Sequence, residues 1–344
     1  MVRYFMDLLN WINSWVGNYG WSIVLFTLFI RLILLPLDIK SKKSMRAMTR
    51  IQPQMTALQT KYANDRDKMN QKLSELYKRE HVSPMSGCLP LLIQFPILII
   101  MFNAMRTVGN ERTIQMILDM KSGAAVTADG LLKDGVLQGW LWIKNVFQPD
   151  SFSATILPKL GDSLKMITAV KHSGVLTEAN ISAAREFLTS DAYNAIAVHY
   201  APKSAFVYFP LLFFKIAIPS SFHALLNYTN GLFILPLMAG LSQFFMTQIM
   251  NGKQKKEKKD KDALPTVSEK KESAAADAAN AMNSPFMKWF FPIFSVYICA
   301  TSNAAFSIYW MAANVIQIIQ QLAVNAWFER QDAKAADQNT HPQT

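Results

Sequence analysis

The feature that most constrains this chain is a set of long apolar runs that carry almost no charge. A transmembrane helix needs about 20 predominantly apolar residues. Over the whole chain 51% of the residues are hydrophobic and only 17% are charged. Four regions supply such runs, and the last is long enough for two helices: residues 21–37, 88–105, 231–250 and 285–328. The sequence therefore predicts a polytopic helical membrane protein with five spans.

A sixth apolar segment, residues 205–218, competes for a place among the spans. It contains Pro210 and Lys215, and apolar runs of about 14 residues are more often buried or interfacial than transmembrane. The loop charges support its exclusion, since residues 40–79 carry 11 Lys or Arg and residues 253–271 carry 8. With five spans these two loops lie on one side. The positive-inside rule then predicts an external N-terminus and a cytoplasmic C-terminus.

The predicted fold class is all-α, with a defined order of segments. Residues 1–20 show apolar residues at helical spacing together with Trp11 and Trp15, which favours an external amphipathic helix in the membrane interface. The remaining segments, in chain order, are span 1 (21–39), a cytoplasmic basic helical hairpin (40–84), span 2 (85–106), an external region with an insertion (107–230), span 3 (231–250), a cytoplasmic basic linker (251–284), span 4 (285–302), span 5 (305–328) and a cytoplasmic tail (329–344).

The sequence also predicts the structure of several segments outside the spans. In the basic loop, apolar residues recur at helical spacing on both sides of Asn64-Asp65, which predicts two helices joined by a turn. Pro53 predicts a kink or break near Gln52. This hairpin is either a solvated pair of helices or a docking surface for a nascent chain or ribosome, and the two are compatible. The tail after Phe328 is expected to be disordered. Aromatic residues of the external region are expected at the membrane surface: Trp140, Trp142 and Phe147.

Arg31 is the residue in the first span that most needs explanation. It lies ten residues after Trp21, or roughly 15 Å along a helix, which is close to mid-bilayer. A central arginine costs about 2.5–3.5 kcal/mol on insertion scales. Snorkelling is one explanation, but the end of the span near Asp38 is roughly 10 Å away. A hydrated internal cavity is favoured, because no apolar run contains an Asp or Glu that could neutralise the charge.

Other polar residues are predicted at a similar depth. Trp310, Asn314 and Gln317 follow helical spacing along one face of the fifth span. Taken singly, such an amide is equally well explained as an interhelical hydrogen bond, worth about 0.6–2 kcal/mol. Their convergence with the arginine favours a polar groove. The predicted groove residues are Thr27, Arg31, Gln94, Gln243, Trp310, Asn314 and Gln317.

Several functional classes fit this sequence poorly. The chain contains no G-x-x-x-x-G-K-[ST] loop, no H-E-x-x-H motif and no histidine within a predicted span, so we expect neither an enzyme nor a cofactor. Ion-driven transporters place carboxylates at mid-membrane, and none occurs in the apolar runs. Two alternatives stay open: a transporter or lipid-moving protein that uses Arg31 for anionic groups, and a non-catalytic membrane scaffold.

Three segments resemble the YidC/Oxa-type membrane insertase family. The first is the arginine-bearing stretch from Thr27 through Arg31 to Pro36. The second, residues 83–96, is similar to the family pattern N-P-x-x-G-C-x-P-x-x-x-Q-x-P. The third segment lies in the predicted fifth span and contains Tyr309-Trp310, Asn314 and Gln320-Gln321. The chain departs from the family pattern at two places. Residues 302–305 replace the F-P-x-G that the family usually has, and residues from about 150 to 230 form an apparent insertion.

The resemblance implies a function as well as a fold. It implies a membrane insertase or chaperone whose groove, open to cytoplasm and lipid, holds Arg31, Thr27 and Trp310. The hydrophilic segment of a nascent membrane protein would enter this groove while its apolar helix slides out along the third and fifth spans. The implied partners are nascent membrane proteins, ribosomes at the basic loops, the Sec translocon and membrane lipids.

Overall fold

A computed structural model of the chain describes residues 2–82, 89–159, 174–211, 214–259 and 285–340. These residues are mostly helical, and the chain divides into two compact units. Unit 1 comprises Met1–Phe29, Ile100–Thr247 and Trp289–Ile316, and unit 2 comprises Ile30–Ile99, Gln248–Lys288 and Gln317–Thr344.

The secondary structure is dominated by helices that differ greatly in length. A single antiparallel hairpin, in which Phe206 lies opposite Pro219, provides the two strands β1 and β2. The elements in chain order are α1 (Val2–Val16), α2 (Tyr19–Lys61), α3 (Arg66–Arg79), α4 (Leu89–Lys121), α5 (Glu178–Leu188), α6 (Asp191–Tyr200), β1 (Phe206–Leu211), β2 (Phe214–Pro219), α7 (Phe222–Tyr228), α8 (Ile234–Lys259), α9 (Pro285–Thr301) and α10 (Ala304–Thr340).

The apolar runs that predict spans lie largely within five of these helices: α2, α4, α8, α9 and α10. Within the described ranges, one helix is long and apolar enough to cross a membrane by length and composition, over Tyr19–Met48. Two shorter apolar helices occupy Ile234–Ile249 and Trp289–Thr301. The number of spans and the orientation of the chain therefore stay predictions.

The structure departs from the sequence-based expectations at three points. The segment 205–218 forms most of the β-hairpin, so the all-α expectation is wrong here; aromatic and β-branched residues dominate the segment and favour strands. Helix α2 continues through Pro53 without a break. The tail is helical as far as Thr340, because residues 329–340 are rich in strong helix formers such as Ala, Gln and Glu.

The large connecting region (107–230) builds much of the core of unit 1. The second half of α4 packs with α5 and α6, whose first turns are capped by Thr177 and Ser190. Such a cap is typically worth about 1 kcal/mol. The stretches 113–120 and 178–188, amphipathic in sequence, supply fully or nearly fully buried apolar residues to this core: Ile114, Ile117, Met120, Ile181, Ala184 and Phe187.

Two buried asparagines join the connecting region to the chain before α8. The main-chain N–H of Asn145 donates to the Asn230 side chain at 2.8 Å, and the Asn230 side-chain amide donates to the carbonyl of Asn145 at 2.9 Å. The same amide also donates to the Pro149 carbonyl. Asn145 and Asn230 are 1% and 0% exposed, so these bonds replace water on polar groups that would otherwise be costly to bury. We call them the Asn145–Asn230 pair.

Asp150 fixes the start of α8. Its carboxylate accepts hydrogen bonds from the main-chain N–H groups of Phe233 at 3.0 Å and Leu235 at 2.7 Å, and from the Trp142 indole at 3.3 Å. The residue is fully buried. A negative charge is stabilised at a helix N-terminus, where N–H groups lack helical partners. A side chain at Gly231 would collide with this carboxylate, which explains a glycine there.

The aromatic residues expected at the membrane surface are not all exposed. Trp140 and Phe147 are buried, and Trp142 is half-buried. Trp140 packs edge-on against Trp21, with ring centroids 5.6 Å apart, and the backbone of Gly20 leaves room for its ring. The surface expectation is therefore wrong for Trp140 and Phe147. On α1, by contrast, Trp11 and Trp15 are exposed.

Within unit 2, α2 and α3 form an antiparallel pair around a short turn. Asp65 caps α3 by accepting from the N–H of Lys68. A small core of Ile51, Leu76 and Val82 holds the two helices together, with partly buried side chains of α2 packed around it.

Candidate functional site around Arg31

Arg31 is buried within unit 2, with only 5% of its surface exposed. Its guanidinium Nη2 donates a hydrogen bond to the side-chain oxygen of Gln317 in α10 at 3.1 Å. One turn further along α10, the Gln320 amide donates to the main-chain carbonyl of Arg31 at 3.3 Å. Gln317 and Gln320 therefore present one face of α10 to Arg31. The structure thus brings together two of the predicted groove residues, Arg31 and Gln317.

Asp38 contributes a negative charge to the surroundings of Arg31. Its carboxylate interacts electrostatically with Arg31 and with Lys42 on the same helix. Asp38 lies just beyond the first apolar run, which is why a search for acids inside the runs misses it. Arg31 is therefore less isolated than the sequence suggests. Gln320, which lies one turn from Gln317, is not among the residues predicted for the groove.

Four predicted groove residues lie in unit 1, and two of them, Asn314 and Thr27, form hydrogen bonds with nearby groups. The Asn314 amide donates to the Ser242 hydroxyl at 3.1 Å, and both side chains are buried. This bond connects α10 to α8, and it matches the alternative explanation of Asn314 as an interhelical contact. The Thr27 hydroxyl donates to the Ile23 carbonyl of its own helix at 2.6 Å. Gln243 is half-buried in α8.

Trp310 also lies in unit 1, and its indole N–H, unlike the side chains of Thr27 and Asn314, forms no hydrogen bond with a described residue. Its ring packs against Phe306, with centroids 5.6 Å apart. Its indole Nε1 is buried and has no hydrogen-bond partner among the described residues. Buried N–H groups normally find a partner, so this donor is a candidate contact for water or a bound chain. The side chain of Gln94, the last predicted groove residue, lies outside the described part of the structure.

The Arg31 cluster can bind an anionic or strongly polar group. A guanidinium offers five N–H donors in a fixed planar arrangement, which suits carboxylate and phosphate oxygens. Its partner on α10 is the neutral amide oxygen of Gln317, which accepts one N–H. A carboxylate can accept two parallel N–H groups from a guanidinium and also carries the opposite charge. A carboxylate that reached Arg31 would therefore compete well with Gln317.

Comparison with known proteins shows, independently of the structure, which family and which proteins this chain resembles. The family model described as "60Kd inner membrane protein" matches residues 11–332. Proteins named "Membrane protein insertase YidC" are similar over shorter stretches. That of Fusobacterium nucleatum is 46% identical over 100 residues, which is 29% of this chain and 49% of the relative. That of Chlorobaculum parvum is 33% identical over 164 residues, which is 47% of this chain and 24% of the relative.

The relatives are longer than the segments that match. A relative from Burkholderia multivorans is 50% identical over 95 residues, which is 28% of this chain but only 17% of that protein. The chain thus spans less than half the length of the curated relatives it matches. The family model, in contrast, covers nearly the whole chain, so this chain belongs to the 60Kd inner membrane protein family of the bacterial plasma membrane.

Proposed function

We propose that this chain is a membrane protein insertase and chaperone. It receives the hydrophilic segment of a nascent membrane protein in a hydrated groove around Arg31 and releases the apolar helix of that protein into the bilayer. The observation that carries the proposal is the burial of Arg31, a charged side chain in an apolar stretch of α2, in contact with the Gln317 amide of α10. The names of the relatives support the same activity.

The chemistry of Arg31 suggests which segments this groove accepts. A carboxylate on the incoming segment binds the guanidinium more strongly than the Gln317 amide does, because it carries the opposite charge and can accept two parallel N–H bonds. Asp38, which already interacts with Arg31, moderates that attraction and so favours release. Acidic, short hydrophilic segments are therefore the substrates that the site suits best.

No nucleotide is required for the proposed reaction. Transfer of about 20 apolar residues from water into lipid is strongly favourable and supplies the driving force. The groove lowers the barrier for the polar segment, which is the part of the substrate that the hydrocarbon core disfavours. Because transfer into lipid supplies the free energy and the groove only has to bind the polar segment, the proposed insertion needs no catalytic group.

The proposal includes an orientation and a set of partners. The basic loops 40–84 and 251–284 face the cytoplasm, where ribosomes that synthesise membrane proteins approach them. The N-terminus lies outside and the C-terminus inside, with five helices crossing the membrane. The chain acts alone or beside the Sec translocon, in contact with membrane lipids. The loop charges and the family membership support this arrangement.

Complementation of a cell depleted of its own insertase tests the function. Wild type, Arg31→Lys and Arg31→Ala are compared for insertion of a small single-span reporter with an acidic external tail. Loss of a charged hydrogen bond costs about 1.5–3 kcal/mol, so Arg31→Ala is expected to lower insertion by roughly ten- to a hundred-fold. Arg31→Lys retains the charge and is expected to rescue in part.

Each result of this experiment is informative when the expression levels match. Rescue by wild type with equal activity of Arg31→Ala leaves the insertase function standing and removes Arg31 from its mechanism. Failure of the wild type itself contradicts the proposed function and favours the transporter or scaffold alternatives. A reporter that lacks acidic residues provides the matched substrate control.

A further inference from the structure

An apolar surface on the large connecting region of unit 1 is not explained by the proposed function. Helix α7 exposes two large apolar side chains one turn apart, Phe222 at 72% and Leu226 at 45%. The hairpin before it exposes Val207, Tyr208 and Ile218. We call α7 and the β1–β2 hairpin, taken together, the apolar arm.

The apolar arm is poorly suited to bulk water. Its sheet has two strands only, and an isolated two-stranded hairpin is at best marginally stable in water. The arm contributes only a small cluster to the core, around Ala205, Phe206 and Ala224. The arm therefore needs a further apolar surface to cover its exposed side chains.

A series of contacts places α7 at the start of an apolar helix. Trp21 lies at the beginning of the stretch Tyr19–Met48, and the Trp140 ring packs against it. Trp140 and Ile143 exchange two main-chain hydrogen bonds across a tight turn, and Lys144 follows directly. The Lys144 ammonium donates to the main-chain carbonyl of Leu226, which joins this turn to α7.

The tight turn itself presents a further apolar side chain. Leu141 lies at its apex, 62% exposed, with a positive φ of 52° that leucine rarely adopts. Trp140 and Trp142 flank it, and aromatic residues of this kind are enriched where membranes meet water. An exposed leucine in a strained turn beside the start of a span fits contact with lipid better than contact with water.

The charge of this part of the chain indicates which lipids it meets. Residues 201–233 contain Lys203 and Lys215 but no Asp, Glu or Arg. Burial lowers the pKa of nearby Lys144 to about 8, so that lysine carries less charge than usual at alkaline pH. A basic, apolar segment without acids is attracted to anionic headgroups.

We propose that the apolar arm lies in the headgroup layer of the membrane leaflet adjoining the connecting region, as an interfacial anchor. Phe222 and Leu226 point into the lipid, and the exposed Asn227, about 100° around the helix from Leu226, points to water. The anchor stays shallow, because the open edges of the hairpin carry main-chain N–H and C=O groups that hydrocarbon would leave without partners. This anchoring does not depend on insertase activity.

Fluorescence of single labelled cysteines tests the anchor in the full-length protein. Phe222→Cys and Leu226→Cys are made with Cys88 and Cys299 replaced by alanine, labelled with an environment-sensitive dye, and reconstituted into vesicles of phosphatidylethanolamine and phosphatidylglycerol. Asn227→Cys is the matched control on the same helix. Leu131→Cys, an exposed leucine between charged residues, is the water reference. Variants whose elution in gel filtration matches the unlabelled protein are compared.

The expected result is stronger quenching at 222 and 226 by nitroxide placed near the lipid headgroup than by nitroxide near the chain end. At these two positions headgroup quenching should exceed that at 227 by roughly twofold or more. Aqueous iodide should quench mainly at 227 and 131. Strong iodide quenching at 222 and 226 would overturn the anchor. Protection from both quenchers would also overturn it and would show that protein covers the arm.

Discussion

At the scale of single residues, the contact between Arg31 and Gln317 is the most informative feature of this chain. It places a permanent charge beside a neutral amide within a buried environment. The strength of the site for an incoming carboxylate depends on the neutrality of residue 317, because a carboxylate at that position would bond to the guanidinium directly. The identity of residue 317 therefore sets how available Arg31 is, even though residue 317 itself carries no charge.

Gln317→Glu tests this dependence directly. The new carboxylate is expected to pair with Arg31 and to reduce insertion of the acidic-tailed reporter by roughly ten-fold, the effect of about 1.4 kcal/mol. Insertion of a reporter without acidic residues should change little. Gln317→Met removes the amide without adding charge and is the matched control. Equal insertion of both reporters by the Glu variant would contradict a role for the positive charge of Arg31 in binding acidic segments.

Asp150 provides a second test at the residue scale. Asp150→Asn keeps the size of the side chain but leaves one acceptor oxygen for three N–H donors, those of Phe233, Leu235 and the Trp142 indole. A buried donor without its partner costs about 1–3 kcal/mol, so the purified protein should melt several degrees lower. Asp134→Asn, at an exposed position, is the control. An unchanged melting temperature would show that Asp150 does not hold the start of α8.

At the scale of elements, small residues decide how closely the helices of unit 1 approach. Gly240 of α8 faces α9, where a Cβ would meet the Val296 side chain and lie 3.2 Å from the Pro292 carbonyl. Packing in membranes relies on such close approaches, since lipid offers apolar side chains an equally good environment. The contact of α8 with α9 is therefore sensitive to the size of residue 240.

Gly240→Ala is expected to lower the melting temperature of the purified protein, because the added methyl group displaces Val296. The double variant Gly240→Ala with Val296→Ala creates room and should recover most of the loss. A coupling energy of about 0.5–3 kcal/mol is typical for residues in direct contact. If the two effects simply add, the helices do not meet at this point.

Some helices and turns could be predicted from local sequence alone, and others could not. The turn between α2 and α3 occurs at Asn64-Asp65, as predicted, because caps and apolar spacing are local properties. The break predicted at Pro53 is absent, since side chains of α2 on both sides of the proline pack in one cluster with α3. The β-hairpin was not predicted, because short apolar runs do not distinguish a strand from a buried helix.

At the scale of the whole molecule, the distribution of charge predicts the orientation in the membrane. The lysine-rich segment 253–271 should be cleaved by trypsin only from the cytoplasmic side, because basic loops are retained there. Intact cells and inside-out vesicles are treated in parallel, with a tag at the C-terminus to identify fragments. Cleavage of this segment in intact cells would reverse the predicted topology. Disruption of the vesicles with detergent gives the reference for complete access.

Hydrophobicity, charge and helical spacing are recorded residue by residue, so they suffice to predict a membrane protein, the position of most helices and a functional role for Arg31. The three-dimensional packing was needed to show that Gln317 and Gln320 contact Arg31, that Asp38 shares its surroundings and that Asn314 bonds to Ser242. It also decided that Trp140 and Phe147 are buried rather than at a surface. These outcomes depend on which helix faces meet, and contacts between residues far apart in the chain leave no local pattern from which they could be deduced.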